Sequence, residues 1–221
     1  MSEKYTGQAD DKRYTSDTVD IRYSPKRCIH AAECVDRLAV VFDVEKRPWI
    51  QPVNGSANTI VDVVANCPSG ALHTERKDGG NEEPIPSENV VVVHPDSYYQ
   101  FSGNIEIEGS EVAIEKEVRA TLCRCGLSQN KPFCDNSHKN KFQAPAAMVD
   151  MDGGKPTESG GTLKVTVHEN GPIELNGNFE LRDESGNTIY QGTKTWLCRC
   201  GQSSKKPFCD GTHKKVEFSA P

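Results

Sequence analysis

Nine cysteines constrain this 221-residue chain more than any other feature. They are Cys28, Cys34, Cys67, Cys123, Cys125, Cys134, Cys198, Cys200 and Cys209. An odd number cannot close into a complete disulfide framework within one chain. The opening residues, MSEKYTGQAD, are polar and carry no apolar leader core. No stretch approaches the roughly 18 apolar residues of a membrane span. A cytoplasmic, reduced protein is therefore expected, in which clustered cysteines bind metal or do redox chemistry. Hydrophobic residues form only 35% of the chain, which favours small domains supported by metal over one large core. A net charge of −6 argues against a nucleic-acid binder, which needs a basic face.

Six of the nine cysteines fall in an internal repeat. His94–Glu108 (HPDSYYQFSGNIEIE) matches His168–Arg182 (HENGPIELNGNFELR) at an offset of 74 residues, with Gly103-Asn104 falling on Gly177-Asn178. Further on, Cys123–His138 (CRCGLSQNKPFCDNSH) matches Cys198–His213 (CRCGQSSKKPFCDGTH). The β-branched, alternating runs Val90–Val93, Ile105–Ile107, Val112–Ile114, Leu163–Val167 and Thr188–Tyr190 predict β-rich copies that pack against each other. Upstream, Ile21–Tyr23 reads as a strand, Leu38–Phe42 as an apolar turn or helix, and Ile60–Asn66 as a helix ended by Cys67-Pro68-Ser69-Gly70. The expected division is a polar tail (1–20), a small α+β domain (21–77), a linker (78–89), a first β-rich unit (90–143), a linker (144–161) and a second unit (162–221).

Within each repeat, two cysteines two apart at a strand end share a face, and a cysteine and histidine four apart share a helix face. Cys123, Cys125, Cys134 and His138 form one such set; Cys198, Cys200, Cys209 and His213 form the other. Three cysteines and a histidine suit either structural zinc or a 2Fe–2S cluster, although C-x-C with C-x3-H is unusual for zinc. Asp135 and Asp210 read as helix caps, Lys139 and Lys214 as solvated charges, and Ser128 and Ser203 as sulfur partners or turn formers. Trp196 reads as packing, and His94 and His168 as turn residues.

The pattern C-x-C-x2-S-x3-P-x-C-D-(G/N)-(S/T)-H, present twice, resembles the CDGSH iron–sulfur family, to which mitoNEET belongs. With its β-rich arms the resemblance covers about half of the chain. It implies a 2Fe–2S cluster in each copy: Cys123 and Cys125 on the inner iron, Cys134 and His138 on the outer, and likewise Cys198, Cys200, Cys209 and His213. It also implies an intramolecular pseudo-dimer in place of the family's homodimer, and hence a monomeric chain. Asn136 departs from the family's glycine, which Gly211 keeps; asparagine tolerates left-handed backbone better than most residues. One histidine per cluster removes a negative ligand and raises the potential above the all-cysteine level.

The segment from Cys28 (CIHAAECV) to Cys67-Pro68 resembles divergent single-cluster ferredoxins over residues 20–77. Ala31 stands where bacterial ferredoxins place their middle cysteine. Three cysteines, Cys28, Cys34 and Cys67, leave a 3Fe–4S cluster as the natural occupant; a 4Fe–4S cluster with His30 as fourth ligand is the alternative, and an empty site the third.

The expectation is a multi-cluster protein that passes single electrons between partner proteins. A cluster donor or redox and pH sensor is the second reading, and a zinc-stabilised interaction module the third. No nucleophile–base pair, phosphate loop or flavin fingerprint is present, so no catalytic activity is expected.

Overall fold

The computed structural model describes residues 4–7, 11–148 and 158–221. These form two compact units, Gly7–Pro84 and Ile85–Pro221, the latter joined by residues around Tyr5. The architecture is α+β and mostly β, as expected. Parts of the expected tail (1–3 and 8–10) and linker (149–157) lie outside the described residues.

The smaller unit is built on a three-stranded antiparallel sheet of β1 (Lys12–Tyr14), β2 (Val19–Tyr23) and β3 (Leu72–Arg76), with β2 in the centre. β1 and the start of β2 fall within the stretch expected to be a tail. Their side chains alternate too briefly to announce a strand, and pairing with β3 supplies the order. Asp20 is buried in β2 and held by Arg13 at 2.6 Å and Lys77 at 2.7 Å. Helix α1 (Glu33–Arg37) carries Cys34. Helix α2 (Ala57–Val64) begins at the Ser56 cap, whose hydroxyl accepts from Thr59 N at 3.2 Å. It buries Ile60, Val61, Val63 and Val64, and its core includes Ile21, Phe42, Ile50 and Leu72. Leu38–Phe42 settles as a turn.

The larger unit is one six-stranded sheet made from both repeats. The first copy gives β4 (Val90–Val93), β5 (Tyr99–Glu108) and β6 (Ala113–Leu122). The second gives β7 (Leu163–Val167), β8 (Ile173–Arg182) and β9 (Thr188–Leu197), then a short helix, α3 (Thr212–Lys215). β4 pairs antiparallel with its own β5 and parallel with β8 of the other copy. Reciprocally, β7 pairs antiparallel with β8 and parallel with β5. The register slips in β5 between Ser102 and Ile105, and in β8 between Asn176 and Phe179. The repeated Gly-Asn dipeptides therefore mark the bulges where each long strand passes from one short partner to the other. At that crossing the buried Asn89 side chain accepts from Asn104 N at 2.9 Å and donates to Asn178 O at 2.8 Å. Tyr5, also placed in the expected tail, is buried here and bridges to Val112.

Candidate functional site

β6 and β9 each end one residue before a C-x-C pair. Extended backbone there turns both thiols to one side, with Sγ atoms 3.7 Å apart for Cys123 and Cys125 and 3.8 Å apart for Cys198 and Cys200. The loop then folds back so that Phe133 bridges to Leu122 and Phe208 to Leu197. This return brings in the third cysteine of each copy. Cys134 Sγ lies 3.5 Å from His138 Nδ1, and Cys209 Sγ 3.3 Å from His213 Nδ1. Two thiolates on one tetrahedral metal at about 2.3 Å stand about 3.8 Å apart, and a thiolate and imidazole about 3.6 Å. The Cys–Cys pair and the Cys–His pair of each copy are thus each spaced as two ligands of one tetrahedral metal would be. Among the described residues, no three or more His, Cys, Asp or Glu side chains gather as they would around a single ion.

The surroundings suit thiolates. Backbone N–H groups donate to Cys125 Sγ from Leu127 (3.4 Å), to Cys134 Sγ from Asn136 (3.4 Å) and to Cys209 Sγ from Gly211 (3.5 Å). Cys123 is pushed down to about 6, first by the hydrogen bond from Cys125 and then by the N–H groups of Ser128 and Gly126. Cys198 falls to about 6 by the same arrangement with Cys200. Burial pushes Cys134 up to about 12 and raises Cys209, while Cys125 and Cys200 are raised by their hydrogen bonds to Cys123 and Cys198 and by burial, so these four would need a cationic centre to stand as thiolates. Burial lowers both His138 and His213, which favours the neutral, ligating imidazole.

Asp135 accepts from Gln129 N and Ser137 N, and Asp210 from Ser204 N and Thr212 N, tying the two ends of each ligand loop together. Ser128 and Ser203 are turn formers: each hydroxyl donates at 2.7 Å to a carbonyl, of Phe133 and Phe208 respectively. Asn136 takes the left-handed conformation (φ 68°) that Gly211 takes in the second copy (φ 82°). A helix follows the loop only in the second copy; the matching residues of the first form turns. Trp196, expected to pack, is instead 44% exposed with Lys194 over its ring. His94 and His168 bond Gln100 and Glu174 beside their turns.

Two buried arginines were not singled out in the sequence. Arg124 and Arg199 occupy the middle of each C-x-C pair and are fully buried. Arg124 donates to the carbonyls of His94, Ala144 and Pro145; Arg199 donates to those of His168, Gly171, Ala220 and Pro221. Each clasps the segment beyond the histidine to the turn before the long strand. Their recurrence in both C-R-C-G stretches was the available signal.

The two ligand loops touch. A Cβ on Gly126 would overlap the carbonyl of Cys200, and one on Gly201 the carbonyl of Cys125. Both glycines have positive φ (79° and 75°), so this back-to-back contact needs their backbone freedom as well as their lack of side chain. Tyr99 of the first copy reaches across, its hydroxyl 2.9 Å from Cys198 O and 3.0 Å from Pro207 O.

In the smaller unit, Cys28, Cys34 and Cys67 line one cavity of about 530 Å³ together with Tyr23, Trp49 and Pro68. His30 and Ala32 take left-handed backbone (φ 53° and 65°), a turn geometry of the kind that aims N–H groups at anionic centres such as Fe–S clusters. Burial and the neighbouring Cys67 push Cys34 up to about 11. Burial and a hydrogen bond to Cys28 raise Tyr23. His30 lies on the cavity wall but is exposed.

Residues 14–77 match the family model described as divergent 4Fe-4S mono-cluster. Residues 98–139 and 170–214 both match the model described as iron-binding zinc finger CDGSH type. The uncharacterized protein YjdI of Escherichia coli, in strains K12 and O157:H7, is 34% identical over 64 residues, which is 29% of this chain and 84% of that protein. The chain therefore belongs to the CDGSH iron–sulfur family, as a tandem member with a divergent 4Fe–4S mono-cluster domain ahead of its two motifs.

Proposed function

We propose that this chain carries single electrons between partner proteins through three iron–sulfur clusters. The observation that carries the reading is the doubled set of Cys–Cys and Cys–His pairs at separations fitting two metal positions per copy. Each repeat would hold a 2Fe–2S cluster: Cys123, Cys125, Cys134 and His138 in the first, Cys198, Cys200, Cys209 and His213 in the second. Cys28, Cys34 and Cys67 would hold a 3Fe–4S cluster, or a 4Fe–4S cluster with His30 as fourth ligand. Bound clusters supply a one-electron couple whose potential the protein sets through ligand charge and hydrogen bonds. The chain's own part is to deliver N–H donors to the sulfurs and to hold two ligand loops back to back. The reciprocal pairing of β4 with β8 and β7 with β5 supports reading the copies as an intramolecular pseudo-dimer.

Cluster donation is the second reading, supported by the partial exposure of Cys209 and His213. A zinc-stabilised interaction module fits paired ligands less well than a two-iron cluster does. Among the described residues no helix is long and apolar enough to cross a membrane. The test is iron, zinc and acid-labile sulfide in anaerobically purified chain. About seven irons are expected, or eight with 4Fe–4S in the smaller unit. An EPR signal in the oxidised protein would indicate 3Fe–4S; a colourless, sulfide-free protein with stoichiometric zinc would overturn the proposal.

A further inference from the structure

The two repeated sites share their ligands but not their surroundings. In the first copy Cys134, His138 and Phe142 are all buried, with His138 only 6% exposed. Their counterparts Cys209, His213 and Phe218 are all partly exposed. The difference lies in the turn before each long strand. Ser97 Oγ stands 3.0 Å from His138 Nε2, and the Tyr98 ring meets the imidazole edge-on at 5.9 Å between centroids. At the repeat offset, Gly171 and Pro172 take those positions and bring neither hydroxyl nor ring. In addition, the chain spends one more residue between His213 and Phe218 than between His138 and Phe142.

His138 turns Nδ1 toward Cys134 Sγ; with Nδ1 ligating iron as assigned above, Nε2 of the neutral ring carries the proton and donates it to Ser97 Oγ. A hydrogen bond on the outer nitrogen fixes a ligating ring and strengthens it as a ligand; its loss typically weakens metal affinity 10–100-fold. Among the described residues nothing plays that part for His213. We infer that Ser97 is a positioning residue that makes the first site the retained one, and that the second, lacking its counterpart, is the site that gives up its cluster. This rests on the ligand assignments of the proposed function. Transfer from the second site moves an intact 2Fe–2S unit to an apo-protein presenting cysteine thiols. Bonds to Cys198, Cys200, Cys209 and His213 break as bonds to the acceptor's thiolates form. The acceptor's thiol protons pass to the freed side chains and solvent, and no electron changes hands.

The test follows cluster absorbance in the intact chain mixed with excess EDTA at fixed neutral pH. A fast and a slow phase are expected from the repeated sites. His213→Cys should slow the fast phase alone. Ser97→Ala should quicken the slow phase about tenfold, and Ser97→Thr, which keeps the hydroxyl, should restore it. In the reduced protein, Ser97→Ala should shift the coordinated-nitrogen couplings of one cluster only in pulsed EPR. Loss of both repeated-site clusters in one phase, a fast phase slowed by His138→Cys, or a slow phase indifferent to Ser97→Ala would each overturn this inference while leaving the iron–sulfur reading standing. Stoichiometric zinc without sulfide would overturn both.

Discussion

Arg124 and Arg199 show what a single side chain can conceal. In a chain with 26 lysines and arginines, an arginine reads as surface, yet these two hold carbonyls in the interior. Replacing either with alanine strands several buried acceptors and opens a cavity, at a cost of about 3 kcal/mol. Lysine keeps the charge but lacks the planar fork, so Arg199→Lys should also lower the denaturant midpoint, though less. The paired cysteines and histidines were legible because spacing alone groups them; the clasping arginines were not, because their partners are carbonyls distant in sequence. Asp20 is a second concealed group. Burial opposes its charge, but hydrogen bonds from Lys77 and Arg13 outweigh this and hold the carboxyl below its ordinary range. A lowered folded value means the stabilisation is fully present above the unfolded pKa of about 3.9 and is lost as pH falls through the folded value. Asp20→Asn should cost roughly 1 kcal/mol at pH 7, because both partners are partly in water. The gap between variant and parent should close on acidification, as read by unfolding curves at stepped pH.

Among the elements, the strands that the sequence announced were those with a β-branched run or clean alternation, such as VVVV at Val90–Val93 and LKVTV at Leu163–Val167. β6 and β9 run to ten residues each, but only short pieces of that length showed a strand pattern. Bulged pairing breaks the two-residue period on which such reading depends. β3 (LHTER) is largely polar and owes its form to β2. Cross-copy pairing left no local signal at all, because parallel partners lie far apart in the chain. The loop-to-loop contact gives the test at this scale. Gly126→Ala and Gly201→Ala each force a side chain into positive φ and against a carbonyl of the other copy. Each should destabilise the β-rich unit by about 2 kcal/mol and lower its melting temperature. Alanine at Gly186, whose Cβ would meet nothing within 4 Å, should lower it less, since it adds backbone strain without the collision.

At the level of the whole molecule, strands of both copies make up one sheet, and on the proposed pseudo-dimer reading neither copy should need a second chain. A monomer is the expected state, and light scattering giving a mass near 24.3 kDa would agree with it, whereas twice that mass would not. His138→Cys and His213→Cys should each restore a negative ligand and lower the midpoint potential of one cluster in a spectroelectrochemical titration. The strand exchange has a further consequence. In an assembly of two identical chains every mutation appears twice, so neither half can change without its twin. Here the halves are inherited together but altered separately. Ser97 stands where the second copy has Gly171, and Tyr99 where it has Ile173. β4 and β7 keep the halves from parting, and that permanence leaves each free to specialise.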